Sequence, residues 1–508
     1  MFSTTRPPRE KRADFPVEHA RRNPDVWAVV AACALSVFFL LTSLYIAQHR
    51  LLWYDEVITA RVSRLSWPGE TFHFLKTGLD QQPLPFYLLV RLSALPLGFS
   101  AFSLRLPSAL AMCITLLVTF DCVRRLTDGL HGLLALSFLT CSVLPFYGSE
   151  ARPYALICMW SACSLWLWVH TRRESWAAAL FFGLAVFGSI VSHYYAIFCL
   201  VPYVIVTLSE VRDKGVPPKI VAACVAAGAG LALIAPFVKA LRGLSAGFWA
   251  PASIGALNNV FVELFPRALV LLPLMLIWIA VATVHSRKID PAAPMAPAER
   301  LAWLFLLIPF AAFLVAILIT NAFYHRYFIG VLPGVAVGFS CLIWRHFRRR
   351  ITISAGILCL LSANGILLSI SEMDLSHPEH IGPPTAREES AKVESLLRFE
   401  DVLSKEGKQF VVVPLGHHLA IEALYYTKHP ERYRLLDDAT LSNDAVVSLD
   451  RRLAPYFPMH FWTVNDLKEH AREAALTDCT DAELLWTEQM GLRVQARLIK
   501  PLNVTYLK

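Results

Sequence analysis

Apolar stretches of about 18 to 22 residues recur through the first 370 positions of the chain, each long enough to cross roughly 30 Å of hydrocarbon as a helix. Backbone polar groups have no water to bond inside lipid, so runs of this length fold as helices and not as barrel strands. Charged residues are 17% of the 508 and hydrophobic ones 56%, against about 25% charged in soluble domains. The expectation is an all-α polytopic membrane protein of about eleven transmembrane helices, followed by a small C-terminal α/β domain.

Spans are expected at 26–48, 101–122, 128–146, 153–170, 176–192, 194–208, 220–241, 264–284, 301–321, 326–344 and 351–370. The polar, basic start is followed from Val26 by an apolar run too long for the core of a signal peptide, so the first span is read as retained. Loops on the N-terminal side hold 20 Lys and Arg, while the short opposite loops hold 8. The positive-inside rule then puts the N-terminus in the cytoplasm. This asymmetry accounts for the net charge of +8 without a nucleic-acid partner. The expected organisation is a cytoplasmic tail at 1–25, a membrane domain at 26–370 with its first outer loop at 49–100, and an extracytoplasmic domain at 371–508. Such a chain belongs in an inner (plasma) membrane, among membrane lipids.

Segment 83–99 is apolar but carries Pro83, Pro85, Pro96, Gly98 and Arg91. If it crossed, Arg348, Arg349 and Arg350 would turn outward, so it reads as an interfacial or partly inserted helix on the outer face. In the tail, 382–408 shows helical spacing, QFVVVPL a buried strand, and the stretch from His417 and His418 to Lys428 a helix with surface histidines. AVVSLD and GLRVQARLIK read as further strands. Ten of eleven cysteines lie in or beside apolar runs, where they act as small hydrophobes, and Cys479 alone lies in the tail. No Cys/His spacing suggests a structural metal.

Ionisable residues beside apolar spans are costly and mark function. On the deduced topology they gather at one membrane face. Asp55 and Glu56 follow Trp53 and Tyr54 after the first span, and Asp80 precedes segment 83–99. Arg105 opens the second span, Glu150, Arg152 and Tyr154 share one short loop, His193, Tyr194 and Tyr195 another, and His325, Arg326 and Tyr327 a third. Arginines at the lipid surface bind phosphate oxygens bidentately. A carboxylate at that depth can take the proton of an attacking hydroxyl. Tyrosines stack on sugar rings and favour the interface. Each group also has a plainer reading, as solvated loop, snorkelling arginine or aromatic belt. No Gly-rich phosphate loop, Ser-His-Asp constellation or HExxH appears, which argues against ATPases, serine hydrolases and zincins.

In these residues the chain resembles the GT-C glycosyltransferases, in the branch similar to protein O-mannosyltransferases, aminoarabinose transferases and lipopolysaccharide galacturonosyltransferases. The likeness rests on Trp53-Tyr54-Asp55-Glu56, on the string from Asp80 through Arg105-Leu106-Pro107, on Ser149-Glu150-Ala151-Arg152-Pro153-Tyr154, and on Arg326-Tyr327-Phe328. It implies a polyprenyl-phosphate sugar donor, an envelope glycan, lipid or protein acceptor, and an inverting mechanism with Asp55 as base and Glu56 beside it. Arg152, Arg326 and Arg105 are the expected phosphate ligands, with Asp80, Glu150, Tyr154, His193, Tyr194 and Tyr327 around the substrate. An inverting displacement sets the base across the sugar from the arginines. Gln82-Pro83-Leu84-Pro85 departs from the HPP of many relatives. No metal ligand is assigned, and a divalent cofactor is left open. The competing readings are a transporter or flippase of a lipid-linked glycan, which would carry its charges at mid-bilayer, and a non-catalytic assembly protein.

Overall fold

The computed structural model describes residues 25–80, 82–241, 250–284, 295–373, 384–414, 418–436, 451–477, 494–499 and 502–507. The expected N-terminal tail up to position 24, His417, the AVVSLD strand and Cys479 lie outside the described residues.

The chain runs as α1 (Val26–His49), α2 (Tyr54–Arg64), α3 (Gly69–Lys76), α4 (Leu84–Leu97) and α5 (Ala101–Leu126). It continues as α6 (Gly129–Thr140), α7 (Leu144–Gly148), α8 (Tyr154–His170), α9 (Trp176–Ser192), α10 (Val201–Lys214) and α11 (Pro218–Leu241). The last part of the bundle is α12 (Ile254–Leu264), α13 (Pro266–Val284), α14 (Pro297–Leu304), α15 (Ile308–Val315), α16 (Leu332–Phe347) and α17 (Ile351–Met373).

Every expected span coincides with helix, but not every one with a long helix. Seven are long and apolar enough to cross a bilayer: Val26–His49, Ala101–Leu126, Tyr194–Lys214, Pro218–Phe237, Pro297–Thr320, His325–Phe347 and Ile351–Met373. The span expected as one run at 264–284 belongs to a broken pair, α12 and α13, bent by 71° at Phe265 before Pro266. Three others, α6, α8 and α9, have only 12, 17 and 17 residues. Helix α4 has 14 residues, about 21 Å at 1.5 Å per residue and well short of the hydrocarbon thickness. Its Leu89, Leu92, Leu95 and Leu97 stay exposed while Phe86, Tyr87, Val90 and Ala94 face the protein.

Without a hydrophobic drive between helices in lipid, small and hydroxyl residues set the contacts. Between α6 and α17, His131 Nε2 meets Ser354 Oγ at 2.9 Å and Ser137 Oγ meets Ser362 Oγ at 2.8 Å. A Cβ on Gly365 would stand 2.5 Å from Thr140 Oγ1, so glycine lets the two backbones approach. Helix starts are capped where the sequence allows it. Asp128 accepts from His131 N–H, and Ser175 accepts from Ala178 N–H.

Beyond α17 come α18 (Pro384–Lys405) and α19 (His418–Tyr426), with a six-stranded sheet in the order β3-β2-β1-β4-β6-β5. Strands β1 (Phe410–Pro414), β2 (Tyr433–Leu436), β3 (Phe461–Trp462) and β4 (Ala474–Thr477) are parallel, in register Val411 to Tyr433 and Val411 to Ala475. Strands β5 (Val494–Ile499) and β6 (Leu502–Leu507) pair antiparallel at one edge. The Val411-Val412-Val413 run is buried on both faces, which is what a parallel central strand demands.

Candidate active site

The first turn of α2 is where the four charged motifs meet. Trp53 is extended and precedes the helix, so Tyr54, Asp55 and Glu56 form its opening turn. Glu56 points inward with no exposure. Its Oε1 accepts from Arg105 Nε at 2.7 Å and from Ala151 N–H at 2.6 Å, and its Oε2 accepts from Arg105 Nη2 at 2.5 Å. Arg105 completes its five donors on the carbonyls of Ala47, Arg50 and Leu51. One buried guanidinium thus ties the end of α1, the start of α2 and α5 together. Burial works to raise the Glu56 carboxyl, but the charge and hydrogen bonds of Arg105, then Arg50 and the Ala151 amide, hold it below its ordinary value. This corrects two sequence expectations. Glu56 and Arg105 complete each other and present nothing to a substrate.

Asp55 points the other way and stays 18% exposed at its side chain. Its Oδ2 lies 3.3 Å from Arg326 Nη2 and 3.5 Å from Arg152 Nη2. The sequence expectation sets the base across a bound sugar from the arginines; both guanidiniums lie within 3.5 Å of the carboxylate. The arginines are not equivalent. Arg152 bonds Asp80 through two nitrogens, at 2.9 and 3.2 Å, and also donates to Asp55 O and Thr59 Oγ1. Asp80 in turn accepts from the Tyr87 hydroxyl at 2.5 Å. A Cβ on Gly148 would lie 2.6 Å from Met112 Sδ, so glycine lets α7 press on α5 just before the loop that carries Arg152.

Arg326 reaches the site from a backbone irregularity. A π-helical turn, Ala316–Thr320, ends at Asn321 in the left-handed region with φ of 48°. A 3₁₀ segment, His325–Val331, follows and leads into α16. The guanidinium then lies among the rings of Tyr324, Tyr154 and Trp53, at 5.2, 5.4 and 5.9 Å from their centroids, within cation–π range.

Tyr154 lies 4.9 Å from Tyr147 and 5.9 Å from His193, while His193 lies 4.8 Å from Tyr327, which stacks on Tyr195 at 5.3 Å. Burial, then Arg326 and Arg152, push His193 down to about 3, so it is neutral and accepts from Tyr195 N–H at 3.2 Å. Tyr194 sits at the margin, 6.3 Å from His193. Glu150 is buried beneath, 3.9 Å from Arg50, and burial pushes its carboxyl up to about 8.

Other members of the site had no signal, or only an ambiguous one, in the sequence. Arg50, which donates to Ser149 O at 3.0 Å and lies 3.7 Å from Glu56, looks in sequence like any boundary arginine. Glu263 of α12 pairs with His325, and His325 Nε2 approaches Tyr147 OH at 3.3 Å. From α19, Glu422 Oε1 accepts from Tyr54 N–H at 2.8 Å and Tyr426 OH accepts from Leu52 N–H at 2.5 Å. Among the described residues no three of His, Cys, Asp and Glu converge as metal ligands. Asp55 and Asp80 already face guanidiniums, whose charge disfavours a divalent cation beside them.

A family model described as dolichyl-phosphate-mannose-protein mannosyltransferase matches residues 80–239, the stretch that contributes Asp80, Arg105, Glu150, Arg152 and His193. Among solved structures, ArnT from Cupriavidus metallidurans bound to undecaprenyl phosphate is similar to 95% of this chain over 98% of its own, with 14% identity and a TM-score of 0.58. The apo state of that protein is similar over the same shares, with 15% identity and a TM-score of 0.57. A search of curated proteins finds no match.

Proposed function

We propose that this chain, a polytopic membrane protein with the GT-C glycosyltransferase fold, transfers a sugar from a polyprenyl-phosphate donor to a hydroxyl of an envelope glycan, lipid or protein. The observation that carries the reading is the partly exposed Asp55 carboxylate held between Arg326 and Arg152 at the end of the first span, in a chain that shares its fold with an undecaprenyl-phosphate-bound protein.

The two arginines divide the work. Arg152 is fixed by Asp80 and positions Asp55 through its carbonyl and carboxylate. Arg326, walled by aromatic rings, is the group that meets the donor phosphate, whose oxygens compete with Asp55 for its outer N–H groups. That competition frees the Asp55 oxygen for the acceptor. The acceptor hydroxyl oxygen then bonds to the anomeric carbon from the face opposite the phosphate. The bond from that carbon to the phosphate oxygen breaks, the hydroxyl proton passes to Asp55, and polyprenyl phosphate leaves as an anion stabilised by Arg326. Configuration inverts. The half-buried rings of Trp53 and Tyr324 border the space for the sugar, while the buried Tyr154, His193 and Tyr327, with Tyr194, shape the wall behind them.

We assign 1–25 to the cytoplasm, 26–370 to the transferase bundle of an inner (plasma) membrane, and 371–508 to an outer domain, following the Lys/Arg asymmetry of the loops. The test of function is transfer from native donor by purified Asp55→Asn, which keeps size but cannot accept the proton. Turnover should fall by about 100-fold or more with undecaprenyl phosphate binding retained. Near-native turnover would remove Asp55 as base.

A further inference from the structure

Asp55, the proposed base, sits in the first turn of α2. The first turn of a helix leaves its N–H groups without intrahelical partners, and a terminus so placed frays unless they are satisfied. Here Glu56 and Val57 N–H turn back to Trp53 O at 2.8 and 2.9 Å. The Tyr54 N–H is bonded from outside the bundle, by a carboxylate 368 residues later in the chain.

That carboxylate is Glu422 of α19, 3% exposed, with Oε1 2.8 Å from Tyr54 N. The same helix supports the turn at two more points. The His418 ring stacks on the Tyr54 ring at 4.0 Å and 18°, although the histidine itself is exposed as expected. The Tyr426 hydroxyl takes the Leu52 N–H. Further along α2, the Arg64 guanidinium lies over Tyr425 at 5.5 Å. Below the turn, Glu56 is fixed by Arg105 and the Ala151 amide. Asp55 is therefore flanked along the chain by two clamped residues, Tyr54 from the C-terminal region and Glu56 from the bundle.

We infer that Glu422 is a positioning residue for the transfer reaction, acting through the Tyr54 amide to fix the first turn of α2 and hence the direction of the Asp55 carboxylate. This makes the C-terminal α/β region part of the catalytic apparatus. It rests on Asp55 being the base. A carboxylate beside a helix N-terminus also favours the helix dipole, and a displacement of about 1 Å in a reacting group costs about 100-fold in rate.

The experiment measures turnover per site, with sites counted by binding of undecaprenyl phosphate, for Glu422→Ala, Glu422→Gln and Asp55→Asn in the full chain. In Glu422→Ala, kcat should fall by about 10- to 100-fold, while the KM for donor and the affinity for undecaprenyl phosphate stay at native values. Glu422→Gln retains an amide oxygen that accepts the Tyr54 N–H and should recover most of the loss. Tyr426→Phe, which removes the acceptor of the Leu52 N–H, should show a smaller fall of the same kind and decides the matter if Glu422→Ala does not fold. Native kcat in Glu422→Ala, or equal loss in Glu422→Gln and Glu422→Ala, overturns the positioning role. Asp55→Asn separates the two claims. If it is inactive while Glu422→Ala is native, only the positioning role falls, whereas a fully active Asp55→Asn removes the base on which that role depends.

Discussion

Asp55 and Arg326 stand 3.3 Å apart through Oδ2 and Nη2, so the group proposed to accept a proton and the group proposed to hold phosphate are partners before any substrate arrives. A bound phosphate must take over that guanidinium. Arg326→Ala should weaken undecaprenyl phosphate by about 10- to 100-fold, the worth of about 1.5–3 kcal/mol for a charge-assisted hydrogen bond. Arg326→Lys should recover part of this, because an ammonium cannot reproduce the planar fork. Equal dissociation constants for native and Ala proteins would move the phosphate elsewhere.

Glu56 and Arg105 make the opposite case. Neither side chain is exposed, and every Arg105 N–H is bonded. Removing one member leaves the other charged and buried, at a cost of about 3–5 kcal/mol. Arg105→Met should lower the melting temperature in detergent sharply, and Glu56→Gln should do so in the same direction. Turnover per folded molecule in Glu56→Gln should stay far above that of Asp55→Asn. A Glu56→Gln protein that melts like the native one yet fails to transfer would return Glu56 to the chemistry.

Charge in an apolar setting marked residues that the fold brings together, because an ion is costly beside lipid unless it is paired. Asp55, Asp80, Arg152, Arg326 and Tyr154 come from four separate motifs and do meet. Their pairing was not legible. The same motif that shows Asp55 shows Glu56, and one residue of helical rotation sends the first to the cleft and the second into the protein. Glu422 was hidden for a different reason. A glutamate in a helix of mixed composition carries no mark of a partner 368 residues away. In the bundle, hydropathy placed helices well but missed geometry. The 71° bend between α12 and α13 and the π turn before Asn321 occur in runs as apolar as any straight span.

Glu150 gives a pH signature. Its carboxyl, buried beside Arg50, is pushed up to about 8 in the folded protein from an ordinary 4.5. The folded state therefore keeps a proton that the unfolded chain releases. The resulting stability is complete below about pH 4.5 and is lost as pH rises through about 8, at a slope of up to about 1.4 kcal/mol per pH unit between them. Glu150→Gln, which cannot ionise, should flatten that slope. Melting temperature measured from pH 5 to pH 9 checks it, and parallel curves for the two proteins would show that Glu150 does not titrate in that window.

Asp80 and Arg152 furnish the last test, because their effect on the reaction runs through Asp55. Asp80 holds both Arg152 nitrogens and is itself held by Tyr87. With that anchor gone, the guanidinium is free to turn fully onto the Asp55 carboxylate, which it already approaches to 3.5 Å. A base locked in a closer ion pair is harder for the acceptor to reach. Asp80→Asn should therefore lower kcat by about 10-fold, with less effect on undecaprenyl phosphate affinity than Arg326→Ala. Arg152→Met removes the same guanidinium, so combining it with Asp80→Asn should cost less than the two single losses added. The expected coupling in the transition-state free energy is about 0.5–3 kcal/mol, the range for residues in one ion-pair network. Additive losses in kcat would show that the two side chains act on turnover independently, and that Asp80 reaches the reaction by another route.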